Sequence, residues 1–290
     1  MTQFLDLRVQ SVGGELAKTV ALGQGTTIDD YTGMLSADLL AAIRGRHVLI
    51  ATHGFNVNRA DGIACLSNWE SLLQLPVASA FAGVLWPGDS IWMHGLDYPG
   101  EARLADDAGK LLAGFIDDNF QAAASVSFAS HSLGARVVLA TIAEMSTPVR
   151  RLTLMAGAID DDCLTAEFQA AAAKVGAISI LASKKDTVLS ELFPMGNFFA
   201  GIMTAGHPWW RAAIGHCGPV QAWPANFEAP FEIPDGWDFN HGNYLQINKP
   251  AAPNLPMPVE APPQGTPAPD QSVAGWQEAF TAAFESTRFR

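Results

Sequence analysis

The chain has 290 residues, of which 49% are hydrophobic, so it is long enough to bury the core of one large domain. Its 29 acidic and 17 basic residues give a formal net charge of −12, which argues against a nucleic-acid-binding surface and against binding to anionic membranes. The three cysteines have no CxxC spacing and indicate no disulfide framework.

The beginning of the chain, residues 1–6, does not have a basic region followed by an apolar one, as a signal peptide does. No run of 18 or more apolar residues occurs, so we expect no membrane span. These features predict a cytoplasmic protein.

The predicted elements begin with a hairpin and continue as alternating strands and helices. Residues 5–10 alternate between apolar and polar side chains, which predicts a half-buried strand, and residues 18–22 are its expected antiparallel partner. Almost wholly apolar strands then alternate with helices, and this pattern predicts an α/β fold with a mostly parallel sheet covered by helices on both faces. The strands are predicted at 47–52, 82–86, 125–129, 151–155 and 177–182, and the helices at 36–43, 60–75, 101–120, 133–145 and 165–174.

The last third of the chain has a different composition. Residues 188–239 are rich in Gly, Pro, Trp and Phe, which predicts irregular cover over the sheet and one last strand. Eight of the chain's 18 prolines lie in residues 250–269, and apolar side chains return at helical spacing in 271–287. We therefore predict a domain at 1–248, followed at 249–290 by a proline-rich arm and an amphipathic helix suited to homo-oligomer formation.

One short motif indicates nucleophilic chemistry. Ser130-His131-Ser132-Leu133-Gly134 follows a predicted strand and precedes a predicted helix. A sharp strand-to-helix turn of this kind lifts a serine hydroxyl out of the sheet, so Ser132 is the predicted nucleophile. Ser130 stands where the usual motif has glycine, and its small side chain predicts a crowded but accessible turn.

A serine nucleophile needs a base and an acid, which in this type of fold follow it in the order acid, then histidine. Asp186 lies just after a predicted strand and is the predicted acid. Asp160, which follows the preceding strand, is the alternative, although it also reads as part of a helix N-cap. His241 lies on a predicted turn and is the predicted base, with His207 and His216 as competitors.

An oxyanion formed at the serine needs backbone donors close to it. His53-Gly54-Phe55-Asn56 directly follows a predicted strand, and Gly54 allows close approach of the backbone. We expect Phe55 and Leu133 to supply the two N–H groups. Several side chains are expected to line an apolar substrate pocket: Trp86, Trp92, His94, His131, Phe193 and Trp209.

Metal and nucleotide chemistry have weak support in the sequence. A site built from His53, His94 and His131 lacks HExxH or any other ligand spacing. Gly23-Gln24-Gly25 does not open a helix after a strand, so it is not a phosphate cradle. We expect neither a metal nor a cofactor.

Taken together, the HGFN loop, the Trp86-Pro87 strand end, the Ser132 motif, Asp186 and Asn240-His241-Gly242 resemble the α/β-hydrolase superfamily. They look closest to a poorly characterised, esterase-like group with an HGFN loop, over roughly residues 45–247. The resemblance implies Ser132 as nucleophile, Asp186 as acid, His241 as base, and Phe55 and Leu133 as oxyanion donors. The likeness to esterase-like members favours a carboxylic ester hydrolase that acts on a small-molecule acyl ester, although the family does not fix the substrate. The alternative is a weak or inactive member used as a binding module.

Overall fold

The computed structural model describes residues 1–13, 15–73, 75–89, 98–193, 211–220, 225–226, 231–233, 235 and 239–244. The predicted arm and helix at 249–290 lie outside the described residues, as do Trp92, His94, His207 and Trp209.

The described residues form a nine-stranded sheet. Its strands are β1 (Thr2–Arg8), β2 (Leu16–Gly25), β3 (Thr32–Gly33), β4 (His47–Thr52), β5 (Ser79–Leu85), β6 (Ser125–His131), β7 (Val149–Met155), β8 (Val175–Ala182) and β9 (Phe231–Glu232). Their spatial order is β3-β2-β1-β5-β4-β6-β7-β8-β9. In this spatial order, all neighbouring strands from β1 through β5, β4, β6, β7 and β8 to β9 are parallel. The pairs β1–β2 and β2–β3 are antiparallel. The predicted α/β fold with an N-terminal antiparallel hairpin is therefore confirmed.

The main helices are α1 (Ser36–Ile43), α2 (Arg59–Leu72), α3 (Tyr98–Asn119), α4 (Gly134–Glu144) and α5 (Gln169–Ala173), and short helical segments occur at Val188–Leu192, Ile214–Cys217 and His241–Asn243. The chain crosses from β4 to β5 in one direction and from β5 to β6 in the other. Because such crossovers are right-handed, α2 covers one face of the sheet while α3 and α4 cover the other. None of the helices in the described ranges is long and apolar enough to cross a membrane.

Two predicted elements differ from the structure. The strand expected to be half-buried is interior, with Asp6 2% and Arg8 3% exposed, because β1 lies between β2 and β5 and its polar side chains meet opposite charges. The helix predicted at 165–174 forms only as α5. Residues 161–168 instead make successive turns, with bonds such as Cys163 N to Asp160 O over 3.1 Å.

Strands β5 and β6 lie on either side of β4, and the connections that lead to them run over opposite faces of the sheet. Such a switch point leaves a crevice at the carboxyl ends of the strands, where ligands bind in open α/β sheets. Thr52 of β4 pairs in register with Ser130 of β6. The HGFN loop and the Ser132 turn therefore leave the sheet side by side.

Candidate active site

Ser132 occupies the sharp turn between β6 and α4. Its φ of 53° lies in the left-handed region, which is strained for a residue with a side chain. The Ser132 N–H donates to Met155 O over 3.0 Å, and Ala135 N–H donates to Ser132 O over 3.1 Å. A Cβ on Gly134 would collide with the carbonyl oxygen of His53, so the close packing of this turn against the end of β4 requires glycine. Local backbone bonding thus supports the strained serine that the motif predicts.

A continuous hydrogen-bond path joins three of the predicted site residues. Ser132 Oγ lies 2.9 Å from His241 Nε2, and His241 Nδ1 lies 2.8 Å from Asp186 Oδ2. A carboxylate can only accept, so Nδ1 donates to Asp186 and Nε2 is left to accept from the serine hydroxyl. Asp186 is fully buried, and its Oδ1 accepts the Leu189 N–H over 3.0 Å. This arrangement can take a proton from Ser132.

The segment that carries His241 is held by short polar bonds. Asn240 Oδ1 accepts the His241 N–H over 2.7 Å, and Asn240 N–H donates to Asn243 Oδ1 over 2.9 Å. Ser183 Oγ donates to Phe239 O over 2.6 Å, which ties this segment to the end of β8. Asp186 follows the same strand, so the predicted acid and the predicted base are carried by segments that are bonded together.

His131 provides a further bond to this segment. Its Nε2 lies 2.9 Å from His241 O, and because a carbonyl only accepts, Nε2 must carry the proton. The His131 and His241 ring centroids are 4.8 Å apart. Burial, together with the neighbouring His241, lowers the pKa of His131 to about 3. His131 is therefore a neutral imidazole, and its expected place in the substrate pocket stays a prediction.

The HGFN loop is pressed against the serine. A Cβ on Gly54 would lie 2.7 Å from Ser132 Cβ, closer than two such carbons approach. Within the part of the chain that the structure describes, neither the Phe55 nor the Leu133 N–H donates to a backbone carbonyl. Leu133 is also the N-cap of α4, where the helix dipole favours negative charge. That both amides donate to an anion at Ser132 stays a prediction.

The other predicted residues lie in different surroundings. Asp160 forms an isolated bridge with Ala213, and the carboxyl group bonded to His241 is that of Asp186. His216 Nδ1 lies 3.2 Å from Ser183 O. Phe193 is buried, 4% exposed.

Trp86 is fully buried, although it was predicted to line the pocket. Its indole N–H donates to His53 O over 2.9 Å, and the two rings are stacked 5.9 Å apart. Trp86 thus supports the HGFN loop through its contacts with His53. Among the described residues, no group of three or more His, Cys, Asp or Glu is arranged to hold a metal ion.

Sequence patterns missed the bonds that hold the loops in place. The Ser183 hydroxyl, the Leu189 amide and the His131 Nε2 were not assigned to these contacts. Ser183 was detectable as a polar residue directly after an apolar strand, whereas the partner of His131 is a backbone carbonyl 110 residues away. A carbonyl leaves no signal in residue identity.

Comparison with known proteins supports the resemblance. The model of a family described as "Alpha/beta hydrolase of unknown function (DUF900)" matches residues 33–192. That segment includes Ser132 and Asp186 but neither the N-terminal hairpin nor His241. No curated protein matches the chain.

Several solved structures are similar at low identity. An uncharacterized protein from Bacillus cereus ATCC 10987 is 16% identical, with a TM-score of 0.39 over 69% of this chain and 55% of that one. A predicted CIB-like hydrolase from Thermoplasma acidophilum is 14% identical, with a TM-score of 0.37 over 81% and 90%. Dipeptidyl peptidase 4 from Porphyromonas gingivalis is 11% identical, with a TM-score of 0.37 over 81% and 32%. The chain thus spans about half the length of the Bacillus protein and a third of the peptidase.

Proposed function

The chain belongs to this family of α/β-hydrolases, whose model matches more than half of it, and we propose that it is a serine hydrolase that cleaves carboxylic esters. The observation that carries the proposal is the path from Ser132 Oγ through the His241 ring to the buried carboxylate of Asp186. Both hydrogen bonds of the path are shorter than 3 Å, and the nucleophile, the base and the acid each have an atom of the right type.

The proposed reaction has two steps. Ser132 Oγ attacks the ester carbonyl carbon while His241 Nε2 takes the hydroxyl proton, and Asp186 stabilises the imidazolium that forms. The oxyanion accepts hydrogen bonds from Phe55 and Leu133 N–H. The carbon–oxygen bond to the alcohol then breaks, and the alcohol leaves with the proton held on His241. Water attacks the acyl-enzyme with His241 as base, which releases the acid and restores Ser132.

A neutral acyl ester is the substrate class that the charges favour. The whole chain carries a formal charge of −12, which repels anionic substrates such as phosphorylated ones. No metal cluster among the described residues offers a second anion-binding group beside Ser132. Phe55, in the loop that packs against the serine turn, has a partly exposed apolar side chain suited to an acyl or alcohol group.

A fluorophosphonate probe tests the nucleophile directly. We expect the probe to label the wild type and not Ser132→Ala, which should also lose turnover of p-nitrophenyl esters. Ser130→Ala is the matched control, since it removes a hydroxyl two residues away, and it should still be labelled. An unlabelled wild type would favour the binding-module alternative, and labelling of Ser132→Ala would refute the nucleophile. A series of esters of increasing acyl length, compared with the matching anilides, would then define the substrate.

A further inference from the structure

Arg8, at the end of β1, is a buried cation in the N-terminal hairpin, outside the segment that the family model matches. A buried guanidinium needs a partner for its charge and acceptors for its N–H groups. Its Nη2 pairs with the carboxylate of Asp89, and its Nη1 donates to Val57 O over 3.1 Å and to Trp86 O over 2.9 Å. The remaining bonds go to carbonyls of the hairpin turn: Gln10 (3.2 Å), Ser11 (3.4 Å) and Gly13 (3.3 Å).

The bonds to Val57, Trp86 and Asp89 join the end of the HGFN loop, residues 53–56, to segment 86–89. That segment also holds the loop directly. At the start of the loop, His53 O accepts the Trp86 indole N–H over 2.9 Å. Near its end, the Asn56 N–H donates to Gly88 O over 2.6 Å. The same guanidinium nitrogen of Arg8 then binds Val57 O, just after the loop, and Trp86 O, at the start of the supporting segment. Phe55 lies between these attachment points.

The loop contains one backbone position of uncommon geometry. Asn56 has a φ of 58°, in the left-handed region, which asparagine adopts more readily than other residues with side chains but less readily than glycine. Strained backbone persists where surrounding contacts over-determine it, and such sites cluster where function needs a fixed geometry. Gly54, two residues earlier, is already pressed against Ser132. A relaxed loop would move the Phe55 N–H relative to the serine.

We propose that Arg8 is a positioning residue for the oxyanion donor: its guanidinium joins the HGFN loop to segment 86–89 and so aims the Phe55 N–H at Ser132. The proposal rests on the proposed function, since it assumes that an oxyanion forms at Ser132. The N-terminal hairpin is then part of the catalytic apparatus, although Arg8 touches no substrate. Arg59 reinforces it, since its Nη2 donates to Arg8 O over 3.1 Å.

The test replaces the guanidinium while keeping its charge. Arg8→Lys retains a cation beside Asp89, but one ammonium group has three N–H bonds for the six acceptors that the three guanidinium nitrogens contact, so it cannot hold Val57 O and Trp86 O while it also binds Asp89 and the hairpin carbonyls. Arg136→Lys is the matched control: Arg136 is also largely buried and binds two carboxylates, those of Asp106 and Glu167, away from the loop. Melting temperatures of both variants identify any general loss of stability.

We expect Arg8→Lys to lower kcat for a p-nitrophenyl ester about tenfold to a hundredfold with KM nearly unchanged, because an oxyanion donor acts in the transition state. Arg136→Lys should keep kcat within about twofold of the wild type. An unchanged kcat in Arg8→Lys, or equal losses in both variants that follow melting temperature, would overturn the proposal.

Hydrogen exchange of the amides at 53–57 provides a readout that needs no activity. Exchange there should become faster in Arg8→Lys and not in Arg136→Lys. Unchanged exchange in Arg8→Lys would show that Arg8 does not hold the loop. A wild type that neither binds the fluorophosphonate nor turns over ester would refute the proposed function instead, while exchange would still decide whether Arg8 holds the loop.

Discussion

Gly54 and Ser132 are in closer contact than any residue with a side chain at position 54 would permit. A Cβ on Gly54 would lie 2.7 Å from Ser132 Cβ and 3.1 Å from His131 Nδ1. The contact arises because β4 and β6 are parallel neighbours in register, so the loops that follow them meet above the sheet. The proposed nucleophile and the proposed oxyanion loop are thus a single packed unit.

Gly54→Ala should therefore disable the site. The added methyl group has to displace either the loop or the serine, and we expect kcat for ester hydrolysis to fall by about a hundredfold, as for other misplacements of about 1 Å. Gly114→Ala on α3 is the matched control, since a Cβ there meets nothing within 4 Å. The control should keep full activity and gain up to about 1 kcal/mol of stability from helix propensity. Equal activity of the two variants would contradict the close packing as a requirement.

His131 should be replaceable by a side chain that keeps its N–H donor. His131→Gln can still donate to His241 O, whereas His131→Leu leaves that carbonyl unpaired and frees the segment that carries the base. We expect the leucine variant to lose about tenfold or more in kcat and the glutamine variant to recover most of it. If both variants were equally impaired, the bond to His241 would not be what positions the base.

Asp186→Asn and Asp160→Asn distinguish the two candidate acids. The Asp186 variant loses the charge that selects the tautomer of His241 and should lower kcat by about 10³ or more. The Asp160 variant should change kcat by less than about threefold, because the base is bonded to Asp186. Steady-state kinetics with one p-nitrophenyl ester is sufficient, and the opposite ranking would transfer the role to Asp160.

Stability should fall in mild acid because two histidines are buried in the neutral form. Burial lowers the pKa of His53 to about 4 and that of His131 to about 3. Both pKa values are about 6.5 in the unfolded chain, so the unfolded state takes up these protons first. The free energy of unfolding is therefore unaffected above about pH 6.5 and falls below it, toward pH 4, by up to about 1.4 kcal/mol per pH unit for each histidine.

Urea unfolding at about pH 7 and about pH 5 measures this dependence. His53→Gln removes one of the two titrating groups, so the difference between the two pH values should be smaller in that variant than in the wild type. The change in the free energy of unfolding between the two pH values is informative even if the variant is less stable at both. A wild-type stability that does not change over this interval would contradict the neutral burial of both rings.

Ser130→Ala should stabilise the protein. Ser130 is fully buried, and its Oγ has no hydrogen-bond partner among the described residues. Removing a buried hydroxyl that lacks a partner relieves a desolvation cost, so we expect the free energy of unfolding to rise by about 1 kcal/mol with kcat unchanged. Denaturant titration measures the change, and a loss of stability would mean that the hydroxyl has a structural role.

The local elements were predictable because their signals lie within a few residues of one another. Strand β4 and helix α1 have the predicted bounds, since each is a short apolar segment with clear ends. The turn at Ser132 was predictable for the same reason: a strand, a small residue and a glycine in sequence leave few conformations. The order Ser132, Asp186, His241 ranked the candidates, but it could not exclude Asp160 as the partner of His241.

The sequence by itself thus determined the α/β alternation and the chemical types available at the ends of the strands. Only the tertiary structure decided which of them meet, because the order of strands in the sheet depends on packing between distant segments. Arg8 demonstrates the difference. The alternation at residues 5–10 predicted a half-buried strand, but the sheet puts β1 between β2 and β5 and brings Arg8 to Asp89, 81 residues away. No local pattern predicts that pairing, because a charge can be buried only where an opposite charge, here from a distant segment, lies beside it.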